Sequence, residues 1–202
     1  MSAAEIRRLD AGSWFGSAFA GEPVPLLDET LEWLHGRVGL VIELKLGPVW
    51  YAGIEEALVA QFQQHRAEAE VLVISFDHFA VRRGKELAPA VKTAVMYGGR
   101  PIDPVAMARA AGADAVRPGH DTLTADDVAA CHEGGLAVIP WTVNDDSSMR
   151  RMIQLGVDGM STNYPDLLDR ALLQWRCVHA SATFSAPTTA RVPARHTADR
   201  AR

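Results

Sequence analysis

Two charged residues end an otherwise apolar stretch of this sequence and could do chemistry together. Glu43 and Lys45 are two positions apart in VGLVIELKLG, residues 38–47. On an extended strand, side chains two positions apart point to the same face. A carboxylate is a ligand for a hard divalent cation, and an ammonium group offers positive charge to a phosphate. The alternative is that the two side chains only form an ion pair at a strand end.

Aromatic and polar side chains also end other apolar runs of the chain. Phe76, Arg117 and Trp141 each lie at the end of such a run, and Tyr97 ends the run at 92–97. In a parallel barrel the carboxyl ends of the strands meet at one mouth, where barrel enzymes keep their active sites. We therefore expect these residues to converge with Glu43 and Lys45. For Phe76 and Trp141, plain packing of the rings is the alternative.

The elements that would position these residues alternate regularly along the chain. Helix-like segments separate six short apolar runs, at 38–43, 71–76, 92–97, 114–117, 136–143 and 158–162. Strands that alternate with helices of this length predict parallel βαβ units. Apolar runs without polar interruptions are typical of strands that are covered on both faces.

Two architectures fit this alternation, a (β/α) barrel and an open doubly wound sheet. No G-x-G-x-x-G motif follows any of the runs, so a dinucleotide-binding sheet has no support. Because polar or aromatic residues end nearly every run, we favour the α/β class with a TIM-type (β/α) barrel. The barrel part covers 38–176, after a loop and a short helix in 1–37. The Ala-, Ser-, Thr- and Pro-rich segment 177–202 is predicted to be a disordered tail.

The composition excludes several classes of function. A net charge of −5 over 202 residues offers no basic surface for nucleic acid. Two cysteines, Cys131 and Cys177, are too few for a disulfide framework and lack metal-ligand spacing. No stretch has the length of a membrane-spanning helix, and the sequence after Met1 lacks the apolar core of a signal peptide. If Met1 is the true start, we expect a cytoplasmic protein.

Five blocks in a fixed order point to a known family. They are LDAGSWFGSAFAGEPVPLLDETL, VIELK, VLVISFD, AVIPWTVND and LGVDGMSTNYPDLL, and they extend over residues 9–168. Together they resemble the glycerophosphodiester phosphodiesterase family. Members of that family are barrels that hydrolyse glycerophosphodiesters to an alcohol and glycerol 3-phosphate, with calcium or magnesium as the usual metal.

The resemblance implies a role for each candidate residue. Glu43 matches a metal ligand of the family and Lys45 matches the lysine that contacts the phosphate. Phe76 and Trp141 would shape the glycerol pocket, and we expect Arg117 to contact phosphate as well. The implied cofactor is Ca²⁺ or Mg²⁺, and the implied partner is a small glycerophosphodiester.

Part of the family pattern has no counterpart in this chain. A His-Arg motif, a Glu-x-Asp pair and a second histidine should precede the position of Leu9, where only eight residues stand. The resemblance therefore predicts an N-terminally truncated member with about six of eight βα units, the first two strands missing. We assign no catalytic residue. His78 and His120 follow strands, but neither matches a catalytic histidine of the family.

Three hypotheses about activity follow. The first is a metal-dependent phosphodiesterase whose 202 residues alone are inactive. The second is a non-catalytic remnant or partner-dependent fragment, because open sheet edges invite self-association or a complementing N-terminal fragment. The third is a different phosphate-handling barrel, which would need its acid and base from His78, His120 and Asp77.

The resemblance also makes the loop in 1–37 an insertion that lies over the mouth of the barrel. It carries Trp14 and Phe15, which are costly to leave in water. We expect the two rings either to form a lid or to pack into a small core of their own.

Overall fold

The structure, a computed structural model, describes residues 1–45, 47 and 51–179. Its helices are α1 (Ala3–Ile6), α2 (Leu27–Leu34), α3 (Ile54–His65), α4 (His78–Leu87), α5 (Pro104–Ala110), α6 (Ala125–Glu133), α7 (Asp146–Leu155) and α8 (Pro165–His179). Its strands are β1 (Leu40–Leu44), β2 (Val71–Ser75), β3 (Lys92–Tyr97), β4 (Ala115–Pro118) and β5 (Ala137–Val138). Strands and helices alternate from β1 to α7, as the apolar runs predict, and α8 follows α7 without an assigned strand between them.

The strands form one parallel sheet in the order β1-β2-β3-β4-β5. Each strand pairs with the next one along the chain, which is the strand order of a (β/α) barrel. In the described residues the sheet does not close, because β1 has no strand partner on its outer edge. The α/β class and the incomplete barrel are therefore confirmed.

The register divides the sheet into two faces. Glu43 pairs with Ile74, Ile74 with Ala94, and Ala94 with Ala115. These residues and those two positions away from them form what we call the inner face. The remaining strand residues form the outer face, which the helices cover.

Two apolar clusters hold the helices on the outer face. In the first, Phe62 of α3 packs with Leu44 of β1 and Val73 of β2. In the second, buried residues of α4 to α8 surround β3, β4 and β5; the strand members are Val95, Val116 and Val138. The helix boundaries follow local sequence, since Thr124 and Asp127 form a capping box at the start of α6.

The inner face carries a smaller cluster without any helix. Its buried members are Ile74, Ala94, Met96 and Ala115, all from strands. Near the amino ends of the strands this face lines an open groove of about 510 Å³. Val41 of β1 is 50% exposed there. An apolar sheet face in contact with water is a surface that another chain segment can cover.

The prediction of a sixth strand at 158–162 is wrong, because the structure assigns no strand there. The segment nevertheless lies beside β5 and makes hydrogen bonds to it and to Pro140. Asp158 N donates to Val138 O at 3.0 Å and Ser161 N donates to Pro140 O at 2.9 Å. Pro140 has no N–H to donate towards 158–162, so the ladder between these two segments is interrupted at that residue. The assigned strand β5 covers two residues, Ala137–Val138. The predicted run at 136–143 is accordingly much shorter as a strand.

Two helices have ends that the sequence pattern did not indicate. Between the runs at 38–43 and 71–76 the helix ends at His65, because Arg66 adopts a left-handed conformation with φ 54°. Helix α8 continues to His179, three residues into the predicted tail. The rest of that prediction, 180–202, lies outside the described residues. Among the helices described, none has both the length and the apolar character to cross a bilayer.

Replacement of Phe62 by alanine should lower the free energy of unfolding by about 3–5 kcal/mol, because its ring is 0% exposed and leaves a cavity. The matched control is Phe79→Ala on α4, where the ring is 72% exposed and a change within about 0.5 kcal/mol is expected. Urea denaturation followed by circular dichroism measures both. Equal effects of the two variants would contradict the packing described for α3.

Candidate functional site at the carboxyl ends of the strands

Glu43 and Lys45 lie on the inner face at the end of β1, as their spacing predicts. Lys45 Nζ donates to Glu43 Oε2 at 2.8 Å. The lysine side chain is 79% exposed and that of Glu43 is 23% exposed. An ion pair with one partner this exposed contributes little to stability. The lysine can therefore leave the carboxylate for another anion at small cost.

Arg117 is a buried cation on the same face, at the end of β4. The residue is 3% exposed, and its Nη2 donates to Ser161 Oγ. Its Nε has no hydrogen-bond partner among the described residues. Burial lowers the pKa of the guanidinium, and the negative charge of Glu43 acts in the opposite direction. Because arginine keeps its proton, Arg117 places a positive charge on the same face that interacts electrostatically with Glu43.

Two aromatic rings meet beside this arginine. Phe76 and Trp141 pack edge to face, with ring centroids 5.3 Å apart and an interplanar angle of 89°. The Trp141 indole Nε1 donates to the backbone oxygen of Arg117 at 2.9 Å. Trp141 is thereby fixed against β4, and Phe76, which is 37% exposed, presents part of its ring to solvent.

The five candidate residues therefore occupy one end of one face of the sheet. We call Glu43, Lys45, Phe76, Arg117 and Trp141 the strand-end cluster. Direct contacts join Lys45 to Glu43 and join Trp141 to both Phe76 and Arg117. The link between these two groups is the electrostatic interaction of Glu43 with Arg117. The cluster combines exposed and buried positive charge with a carboxylate and an aromatic surface.

Neighbouring polar groups hold the backbone of β1 and β2 in place. Ser75 Oγ donates to Leu44 O at 2.6 Å and accepts from Asp77 N at 2.9 Å. The Asp77 carboxylate accepts from the backbone of Phe79 and Ala80, so it caps α4. A cavity of about 310 Å³ opens next to this segment, and Lys45 is among its lining residues.

The two histidines near the mouth make structural contacts. His78 Nε2 donates to Met96 O at 2.8 Å, so one of its two ring nitrogens is hydrogen-bonded to a backbone carbonyl. His120 N donates to Trp141 O at 3.1 Å, and the His120 ring lies 3.2 Å from Asp121. The hypothesis of a different phosphate-handling barrel needed these histidines and Asp77 as acid and base. All three residues are engaged in local contacts instead.

One strand-end residue points away from the cluster. Tyr97 was expected at the mouth, but its ring packs against the outer-face cluster, and burial raises the pKa of its hydroxyl. Ser161 is a contact that sequence reasoning missed. Its position within the block LGVDGMSTNYPDLL is the one sequence signal that pointed to it, and serine is common in loops.

A divalent cation would need more oxygen ligands than this cluster has. Calcium takes six to eight oxygen ligands and magnesium takes six. Glu43 is the cluster's single carboxylate, and within residues 1–45, 47 and 51–179 no group of three or more acidic, histidine or cysteine side chains could hold a metal. The described residues therefore do not by themselves fit the metal that the resemblance implies.

The hydrogen bond between Arg117 and Ser161 should contribute measurably to the free energy of unfolding. Ser161→Ala leaves one more buried guanidinium N–H without a partner, which should lower the free energy of unfolding by about 1–3 kcal/mol. Ser147→Ala is the control, because that exposed hydroxyl only donates to Asp145. Urea denaturation midpoints compare the two. A Ser161 variant as stable as the control would show that Arg117 does not depend on this contact.

Sequence and structure comparisons agree with this fold. The profile of the glycerophosphoryl diester phosphodiesterase family matches residues 1–167. The glycerophosphodiester phosphodiesterase of Caldanaerobacter subterraneus subsp. tengcongensis is 38% identical over 165 residues, which cover 81% of this chain and 68% of the relative. The Bacillus altitudinis enzyme of the same name is 32% identical over 166 residues, covering 80% and 68% of the two chains.

A solved structure shows a related enzyme with its product. The Oleispira antarctica phosphodiesterase, in complex with sn-glycerol 3-phosphate, has a TM-score of 0.74 and 26% identity to this chain. The match covers 85% of this chain and 70% of that protein. With a profile match over most of its length and relatives above 30% identity, the chain belongs to the glycerophosphoryl diester phosphodiesterase family.

Proposed function

We propose that this chain provides the substrate-binding wall of a metal-dependent glycerophosphodiester phosphodiesterase, which hydrolyses its substrate to an alcohol and glycerol 3-phosphate. The observation that carries the proposal is the strand-end cluster, which combines cations, a carboxylate and aromatic rings on one face. The family relatives named for this activity, and the product complex of one of them, support the substrate class.

Each member of the cluster has a role in this proposal. Lys45 contacts the phosphate, because its ammonium is exposed and its bond to Glu43 is exchangeable. Arg117 adds positive potential to the same face, because burial reduces the screening of its charge. Phe76 and Trp141 provide the apolar surface against which the carbons of glycerol pack.

Glu43 is proposed as one ligand of the metal, calcium or magnesium. Its carboxylate is a suitable hard donor, and Arg117 and Lys45 balance its charge when no cation is bound. The other oxygen ligands would have to come from outside the described residues.

The chain alone is proposed to be inactive. The strand-end cluster contains no histidine, and His78 and His120 make structural contacts. General acid–base catalysis needs a group that can reach the reacting oxygen and exchange a proton. A complementing segment that pairs with the open edge of β1 would cover the inner-face groove. The matched relatives contain a further third of their length that this chain does not match.

The alternative function is a non-catalytic remnant of such a barrel. The ion pair between Glu43 and Lys45 favours it, because both charges are satisfied without metal or substrate. A cytoplasmic location also stays a prediction, which fractionation of cells that express the protein would test.

A turnover assay distinguishes the incomplete enzyme from the non-catalytic remnant. It is run with the chain alone and with the chain plus the part of the Caldanaerobacter relative that it does not match. The purified chain, incubated with glycerophosphocholine and calcium or magnesium, should release no detectable glycerol 3-phosphate. Addition of the part of the Caldanaerobacter relative that this chain does not match should produce turnover, because it would supply the absent catalytic groups. Glu43→Ala should abolish that turnover, whereas Glu133→Ala, an exposed acid on α6, should leave it unchanged.

Two results would contradict the proposal in different ways. Turnover by the chain alone that disappears in Glu43→Ala would show that the cluster is catalytically sufficient. A mixture that forms a stable complex without turnover would support the non-catalytic alternative. Size-exclusion chromatography with light scattering reports the complex, and it also detects self-association of the chain.

A further inference from the structure

A loop near the amino terminus exposes three aromatic rings. Residues 11–20, AGSWFGSAFA, contain no charged side chain. Trp14 is 82% exposed, Phe15 is 68% exposed and Phe19 is 47% exposed. We call residues 10–23 the aromatic loop. The rings touch edge to face but remain largely in water, so they do not form the small core that was one of the two expected arrangements, and the lid stays a prediction.

The aromatic loop is held in shape by one carboxylate. Asp10 accepts hydrogen bonds from the backbone of Gly12, Ser13 and Gly21 and from the Ser13 hydroxyl. These bonds, led by that from the Ser13 side chain, hold the pKa of Asp10 well below its usual range. A short bridge between Asp10 and Pro23 closes the base of the loop.

Close backbone packing also fixes the position of the rings. A Cβ atom at Gly12 would lie 1.9 Å from Phe19 O, so only glycine fits there. Trp14 Nε1 donates to Ala11 O at 2.8 Å. The exposed indole therefore needs no polar partner from outside, and the loop presents an apolar surface that is already organised.

The size of this surface argues against a protein partner. At roughly 200 Å² for each fully exposed aromatic side chain, the three rings present about 400 Å² to solvent. A stable protein interface buries about 800 Å² on each side, so a second copy of the chain docked here would lack area. A bilayer requires no matching surface, and tryptophan and phenylalanine are the residues that insert at its interface.

We propose that the aromatic loop docks the protein on a zwitterionic lipid bilayer by inserting Trp14, Phe15 and Phe19 at the headgroup boundary. The absence of charge in residues 11–20 and the net charge of −5 disfavour attraction to anionic lipids. Docking of this kind is independent of the proposed hydrolysis, since the loop contributes no residue to the strand-end cluster.

Vesicle binding tests the proposal directly. The full chain should sediment with phosphatidylcholine vesicles, and binding should change little when the sodium chloride concentration is raised, because no charge takes part. The double substitution Trp14→Ala with Phe15→Ala should weaken binding at least tenfold. Trp33→Ala is the matched control, because this tryptophan on α2 is 65% exposed but lies outside the loop against Arg37. It should bind as the unchanged protein does.

Several results would overturn the proposal. Absence of vesicle binding, an equal loss in Trp33→Ala, or binding that requires anionic lipid and disappears in salt would each do so. A concentration-dependent dimer that the double substitution removes would identify a second copy as the occupant. Both variants should unfold at the same temperature as the unchanged protein, because the replaced rings are exposed. A loss of vesicle binding then comes from the changed surface and not from misfolding.

Discussion

The in-register pairing of five parallel strands is the constraint on which the rest of this structure depends. Pairing from β1 to β5 puts Glu43 and Arg117 on one face, although 74 positions of sequence separate them. A one-residue slip of any strand would send its side chains to the opposite face. The helices fill the outer face with apolar contacts and thereby hold this register. The chemistry at the strand ends is a consequence of that packing.

Two cations, the buried Arg117 and the exposed Lys45, interact with the Glu43 carboxylate at the strand ends. Arg117 is fixed by Ser161 and surrounded by protein, so it contributes a constant positive potential. Lys45 is exposed and bound to Glu43 alone among the described contacts, so it can exchange partners. In the proposed function the fixed cation orients the site and the exchangeable cation meets the substrate. The rings of Phe76 and Trp141 lie beside them as the apolar part of the same wall.

Much of this arrangement could be predicted from sequence, because local patterns determine it. Alternating apolar runs predicted the parallel sheet, and the spacing of Glu43 and Lys45 predicted their shared face. The contact between Arg117 and Ser161 could not be predicted, since it depends on how a loop without strand character lies beside β5. The inward position expected for Tyr97 was wrong because strand parity, and not nearness to the strand end, decides which face a residue occupies. The exposure of Trp14 depends on the turn built around Asp10, which a hydrophobicity pattern does not show.

Binding of sn-glycerol 3-phosphate tests the central claim most directly, because it asks whether the strand-end cluster recognises a phosphate. Isothermal titration of the chain should show binding that Lys45→Met weakens about tenfold, which corresponds to about 1.4 kcal/mol. Lys92→Met is the matched control, because Lys92 pairs with Asp114 at 2.9 Å at the opposite end of the sheet, much as Lys45 pairs with Glu43. The account predicts that this control binds like the unchanged chain. Absence of binding, or an equal loss in both variants, would contradict it.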